Sequence, residues 1–142
     1  MDTAATPPFV AHLGIRHTEA AAESTSAEVT LAPHLLNRSG SAHGGLISTL
    51  LDTTMSRTAL LSCDGEGLGV TVEIKVSFIN PGRGTLHCRA WPTNRAASLV
   101  FLEGEVRDAT GLLVARGSAT FKHRPEPAHA RFPRPSCSRR PT

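Results

Sequence analysis

Aromatic residues are scarce in this chain: five phenylalanines, one tryptophan and no tyrosine among 142 positions. Its body therefore lacks the pattern of basic residues interleaved with aromatics on which nucleic-acid surfaces are built. Cysteine is scarce too. Cys63, Cys88 and Cys137 are odd in number and far apart, which fits neither a disulfide framework nor the paired spacing of a zinc site. No apolar stretch follows Met1, and no apolar run approaches the ~18 residues of a membrane span. The compartment expected from these absences is a reducing cytosol, with neither a membrane nor a nucleic acid as partner. Hydrophobic residues make up 39% and charged residues 19%, enough apolar material for one domain with a single core.

The net charge of +3 is unevenly placed. Five of the fifteen basic residues, but only one of the twelve acidic ones, lie in 124–142, leaving ten basic and eleven acidic groups before it, a net of −1. The same nineteen residues carry five prolines. Proline at this density prevents helix and central strand, so 124–142 is expected to be a disordered Pro/Arg-rich tail. Residues 1–13 read as an N-terminal segment with one short helical turn at Phe9–Leu13. Residues 14–123 read as the folded domain.

Within that domain the periodicity predicts one helix and about six strands. Gly14–Ala20 and Ser26–Ala32 are weak strands, the second alternating Ala27, Val29 and Leu31 with Glu28 and Thr30. Helical spacing begins near His43 or Gly44, with Ser39 or Ser41 as the expected cap, and Asp64, Gly65 and Gly67 end it. Val70, Val72, Ile74, Val76 and Phe78 alternate with Thr71, Glu73, Lys75 and Ser77, a half-buried strand. Asn-Pro-Gly-Arg-Gly at 80–84 is turn chemistry. Leu86, Cys88 and Ala90 mark another strand, which Pro92–Arg95 is expected to break. Leu99–Arg107 and Leu113–Lys122 form a final pair joined by a short turn at 108–111. Four consecutive antiparallel strands after one long helix define an α+β domain.

The stretch N-R-S-G-S-A-H-G-G-L-I-S-T-L-L-D, 37–52, carries the chemistry. A helix start has unpaired N–H groups and partial positive charge. Glycine there admits a ligand oxygen, so the N–H of Gly44 or Gly45 could polarise a carbonyl; alternatively the pair serves only close packing. Asp52 interrupts the apolar part of the helix. It suits a general base, or else a carboxylate reaching solvent or a partner such as Arg57. Gly44 and Asp52 are eight residues apart, ~12 Å along a helix at 1.5 Å per residue. They cannot serve one carbonyl within one chain. If both act, they do so across a symmetric dimer with two interfacial sites.

These residues, followed by G-V-T-V-E, a Pro-Gly turn and a hairpin ending G-L-L-V-A-R-G, resemble the PaaI-type hotdog-fold thioesterases over roughly 14–122. The resemblance implies a hotdog fold, with one long central helix wrapped by a five- to six-stranded antiparallel sheet. It implies hydrolysis of acyl-CoA thioesters to acid and coenzyme A without cofactor or metal, by a homodimer or a dimer of dimers. It implies Asp52 as general base or nucleophile and Gly44 N–H as the group polarising the thioester carbonyl. Asn37 would position water or thioester, His43 would support the helix start, and Thr71 would orient the water. Asn37 and Gly44 would come from one subunit, Asp52 and Thr71 from the other. Coenzyme A would meet Asn80, Gly82 and Arg83 in the 80–84 loop and Arg95 in the next. There the sequence departs from the family pattern, with Ala96-Ala97 where glycine followed by a basic residue is usual. A non-catalytic hotdog module binding acyl thioesters is the alternative. A hydratase fits less well, because His43 lies nine residues before Asp52. A third possibility is an interaction protein working through its tail.

Overall fold

A computed structural model of the chain describes residues 6–63 and 68–124. The predicted helix end at Asp64–Gly67 and the tail beyond Arg124 lie outside these residues. The elements run α1 (Pro8–His12), β1 (Arg16–Ala20), β2 (Thr25–Thr30), a 3₁₀ turn (Pro33–Leu35), α2 (Gly44–Ser62), β3 (Leu68–Phe78), β4 (Thr85–Ala96), β5 (Leu99–Asp108) and β6 (Leu113–Arg124). Every strand pairing is antiparallel, in the order β1-β2-β4-β5-β6-β3. This is the expected α+β sheet wrapped on one helix, with six strands. Of the last four strands, β4, β5 and β6 are neighbours in sequence order, but β3 is not next to β4. β3 crosses over the sheet and pairs with β6, so it forms an edge.

α2 is held by packing more than by propensity. Four hydroxyls bond back to the carbonyl one turn earlier: Ser48 to Gly44, Thr49 to Gly45, Thr54 to Leu50 and Thr58 to Thr54. Such residues are indifferent helix formers. Against this, Leu46, Ile47, Leu50, Leu51 and Met55 are all buried on the sheet, each side chain contributing about 1.5–3 kcal/mol. Leu51 sits over Gly104 and Gly117, which face each other on β5 and β6. A Cβ on either would come within 3.2 Å of a Leu51 methyl. This close approach fixes the height of the helix at the residue before Asp52. Thr25, Thr54 and Thr58 form a buried polar seam between α2 and β2, with Thr25 donating to the Thr54 carbonyl at 3.0 Å and sharing a 2.7 Å bond with Thr58. Cys88 packs nearby as a neutral thiol, its pKa pushed up to about 12 by burial. Val10 of α1 joins the same core.

Three sequence expectations are corrected. Pro92–Arg95 does not break the chain; β4 runs through it with a bulge between Pro92 and Asn94. β4 and β5 then join through Ala97 and Ser98, where Ala97 takes φ 50°, a left-handed conformation glycine adopts without strain. The alternation along β3 is also interrupted. Thr71 pairs with Phe121 and Glu73 with Thr120, so Val72 is an extra residue and the side-chain parity flips there. Finally, the helix cap is His43, not Ser39 or Ser41. Among the described residues, no helix is long and apolar enough to cross a membrane.

Candidate active site

The loop before α2 is built around Asn37. Its Oδ1 accepts from the N–H of Ser39 (2.9 Å) and Ser41 (3.1 Å), and its Nδ2 donates to Ser41 Oγ (3.0 Å). Three backbone bonds deliver the loop onto the helix. Asn37 N–H donates to the Ser41 carbonyl at 2.7 Å, Ala42 N–H to Gly82 and His43 N–H to Leu35, both at 2.9 Å. Asn37 thus engages the Ser41 hydroxyl and the Ser39 backbone, and neither serine caps α2.

His43 takes over that task. Its backbone is extended (φ −60°, ψ 138°) and its Nδ1 accepts from Gly45 N–H at 2.9 Å. A ring nitrogen that accepts carries no proton, so the neutral imidazole is protonated on Nε2. The His43 carbonyl accepts from Leu46 N–H (3.0 Å) and Ile47 N–H (3.2 Å). These bonds separate the two glycines. Gly45 N–H is consumed by the cap, whereas Gly44 N–H makes no hydrogen bond among the described residues. It is the one donor of the pair that remains for a ligand. Replacing His43 with alanine is expected to cost about 1 kcal/mol, lowering the melting temperature by roughly 2–6 °C in a thermal scan followed by circular dichroism.

Gly44 borders a cleft of about 370 Å³ lined by Asn37, Ile47, Phe78, Ile79 and Asn80, with Gly82 at its margin. A Cβ on Gly44 would lie 3.3 Å from the Phe78 ring. Asn80 is held by Nδ2 donation to the Leu113 carbonyl at 2.8 Å. Arg83 donates to the Gly40 carbonyl at 3.2 Å, which places this exposed cation over the Asn37 loop.

Asp52 lies two turns along α2, half-buried. Its partner is Thr71, whose hydroxyl donates to Oδ1 at 2.7 Å. Oδ2 makes no hydrogen bond among the described residues. The alternation in the sequence puts Thr71 on the polar parity of its strand, with Glu73, Lys75 and Ser77. The bulge at Val72 instead turns it to the helix side, the side of buried Phe121. Gly69 makes room for that phenylalanine, since a Cβ there would lie 1.9 Å from the ring. Ser56, one turn beyond Asp52, places its hydroxyl 3.4 Å from that of Thr71. Ser56 was not singled out from the sequence, although its i+4 spacing from Asp52 puts both on one helix face. Arg95 lies at the far end of α2, where its guanidinium donates to the Ser62 carbonyl and to Cys63 Sγ, the latter at 3.1 Å. A cation there also complements the helix dipole.

The predicted residues thus fall into two groups in one chain. Asn37, His43, Gly44, Asn80, Gly82 and Arg83 gather at the start of α2. Asp52 and Thr71 meet ~12 Å further along at 1.5 Å per residue, and Arg95 lies beyond them.

Comparison with known proteins gives the class that this fold and site belong to. Residues 39–115, more than half of the chain, match the Thioesterase superfamily. The chain belongs to that superfamily; it is a hotdog-fold thioesterase, as the resemblance implied. It is similar to mouse acyl-coenzyme A thioesterase 13, at 29% identity over 107 residues, covering 73% of this chain and 75% of that protein. Among solved structures it is similar to a conserved protein of Pseudomonas aeruginosa, with TM-score 0.80 and 28% identity over 84% of this chain and 95% of that one. It also shares its fold with the PaaI protein of the E. coli phenylacetic acid degradation operon, with TM-score 0.74 and 21% identity over 84% and 86% of the two chains.

Proposed function

We propose that the protein hydrolyses acyl-coenzyme A thioesters in two sites of a homodimer, each built from the Gly44 end of one helix and the Asp52 end of the other. The observation that carries this reading is the unbonded Gly44 N–H and the Thr71-held Asp52, on one helix but too far apart for one carbonyl. The exposed edge of β3 supplies the means of bringing them together. An open strand edge is a template for pairing with another chain, and this one displays Val70, Val72 and Phe78 to solvent. Thr71 stands near one end of β3, beside Asp52, and Phe78 at the other, beside Gly44. Two β3 edges paired antiparallel about a two-fold axis near Ile74 and Lys75 would set Gly44 and Phe78 of one chain against Asp52 and Thr71 of the other.

In that arrangement the thioester oxygen accepts from Gly44 N–H. Thr71 ties up Oδ1 of Asp52, leaving Oδ2 to take a proton from water. The water oxygen bonds to the carbonyl carbon, and the Gly44 amide at the helix start stabilises the oxyanion that forms. Collapse breaks the C–S bond, and the thiolate leaves and receives the proton held by Asp52. Attack by Asp52 itself would pass through a mixed anhydride, and one turnover in ¹⁸O-water leaves label in the protein when water opens that anhydride at the Asp52 carboxyl carbon. Asn37 and His43 hold the amide in place, and Ser56 supports Thr71. Asn80, Gly82 and Arg83 border the entrance, where a guanidinium suits a phosphate of coenzyme A. Arg95 is bonded to the Ser62 carbonyl and Cys63 Sγ, beyond the Asp52 end of the helix, and would meet coenzyme A only by leaving those partners. A thiol-release assay over short, medium and aromatic acyl-CoAs tests the reading. Turnover supports it; binding of acyl-CoA with no thiol released indicates a non-catalytic module instead.

A further inference from the structure

The geometry points to Phe78 and Ile79 as the residues that select the acyl group, and to an uncharged apolar acyl group as what they select; this rests on the thioesterase reading above. The cleft next to Gly44 N–H has Ile47 buried within it, with Phe78 at the end of β3 and Ile79 just past it each about half exposed. The ring lies against the bare face of Gly44, so a carbonyl accepting from that N–H has its substituents next to Phe78. Within one chain no charged side chain lines this cleft, and the group that the proposed dimer adds, the partner's Asp52, is itself an anion. The cleft's two asparagines are engaged within the protein, Asn37 with Ser39 and Ser41 and Asn80 Nδ2 with the Leu113 carbonyl. A carboxylate carried into such a site loses its water without gaining a cation, which is costly. The acyl side of the thioester is the part that Ile47, Phe78 and Ile79 fit.

The test compares two non-hydrolysable thioethers, S-hexyl-CoA and S-(5-carboxypentyl)-CoA, by titration calorimetry, alongside kcat/KM for hexanoyl-CoA and adipoyl-CoA. The wild-type protein is expected to bind the hexyl compound at least about 30-fold more tightly, and Phe78→Ala to lose about 10- to 100-fold of that affinity while leaving the carboxylate compound little changed. Ile79→Arg, at an exposed position that tolerates a long side chain, is expected to shift the preference toward the carboxylate. Sedimentation of each variant checks that the assembly is kept. Equal binding of the two thioethers by the wild type overturns the proposal. So does an equal loss of both compounds in an assembled Phe78→Ala protein, or an unchanged preference in Ile79→Arg. A clear preference in binding with no turnover of any thioester upholds the cleft's selectivity while removing the catalytic reading.

Discussion

Asp52→Asn is expected to lower kcat for acyl-CoA hydrolysis about 10³-fold, with KM changed little. Asparagine fills the same space and keeps an oxygen to accept from Thr71, so the 2.7 Å bond and the helix face survive. The change removes only the basicity of the oxygen left over for water. A thermal scan should show a melting temperature near that of the wild type, and a thiol-release assay should show the loss. If turnover persists at the wild-type rate, Asp52 is a surface carboxylate that happens to touch Thr71, and the proton must be taken elsewhere.

Gly44→Pro is expected to cost about 10²- to 10³-fold in kcat, the range for losing one donor to an oxyanion. Proline elsewhere in a helix costs ~3 kcal/mol or more, but the first helical position tolerates it. Gly44 occupies that position after the His43 cap, and its N–H makes no bond that folding requires. The residue before a proline must be extended, and His43 already is, at ψ 138°. The new Cβ meets the Phe78 ring at 3.3 Å, a contact that this exposed side chain relieves by a small rotation. Gly44→Ala introduces the same Cβ but keeps the N–H, so the ratio of the two variants isolates the hydrogen bond. Near-equal rates in alanine and proline variants would mean that the amide does not hold the substrate's oxygen.

These two residues were legible in the sequence because their signals are local. A Gly-Gly pair at a helix start and an acid inside an apolar run each violate a pattern, and the rise per residue gives their separation. The choice of Gly44 over Gly45 came from the resemblance and was not legible in the residues themselves. It depends on His43 Nδ1 turning back to cap the helix, a rotamer that Asn37 leaves room for by holding both rival serines. Thr71 was found by resemblance, while its strand alternation pointed it the wrong way. The bulge at Val72 reverses that parity, and an extra residue can be recognised only against the partner strand, β6. The long-range placement of β3 at the sheet edge was hidden for the same reason, since nothing in its own residues says that it skips past β4 and β5. Ser56 was within reach of spacing rules, but a lone helical serine carries no signal until Thr71 stands opposite it. Arg95 was expected near coenzyme A from its loop position. Its contacts with Ser62 and Cys63 arise because β4 continues through Pro92 to the far end of α2.

Mixing the two disabled chains tests most directly whether each site is shared between copies. Asp52→Asn and Gly44→Pro chains carrying different affinity tags are co-expressed, and the mixed dimer is purified through both tags. In a shared site, the intact Gly44 of the first chain faces the intact Asp52 of the second, while the other site holds both lesions. The mixed dimer should then recover about half of the wild-type activity per dimer, as two-fold symmetry requires. Activity no higher than the mean of the two inactive parents would mean that Gly44 and Asp52 do not meet across an interface.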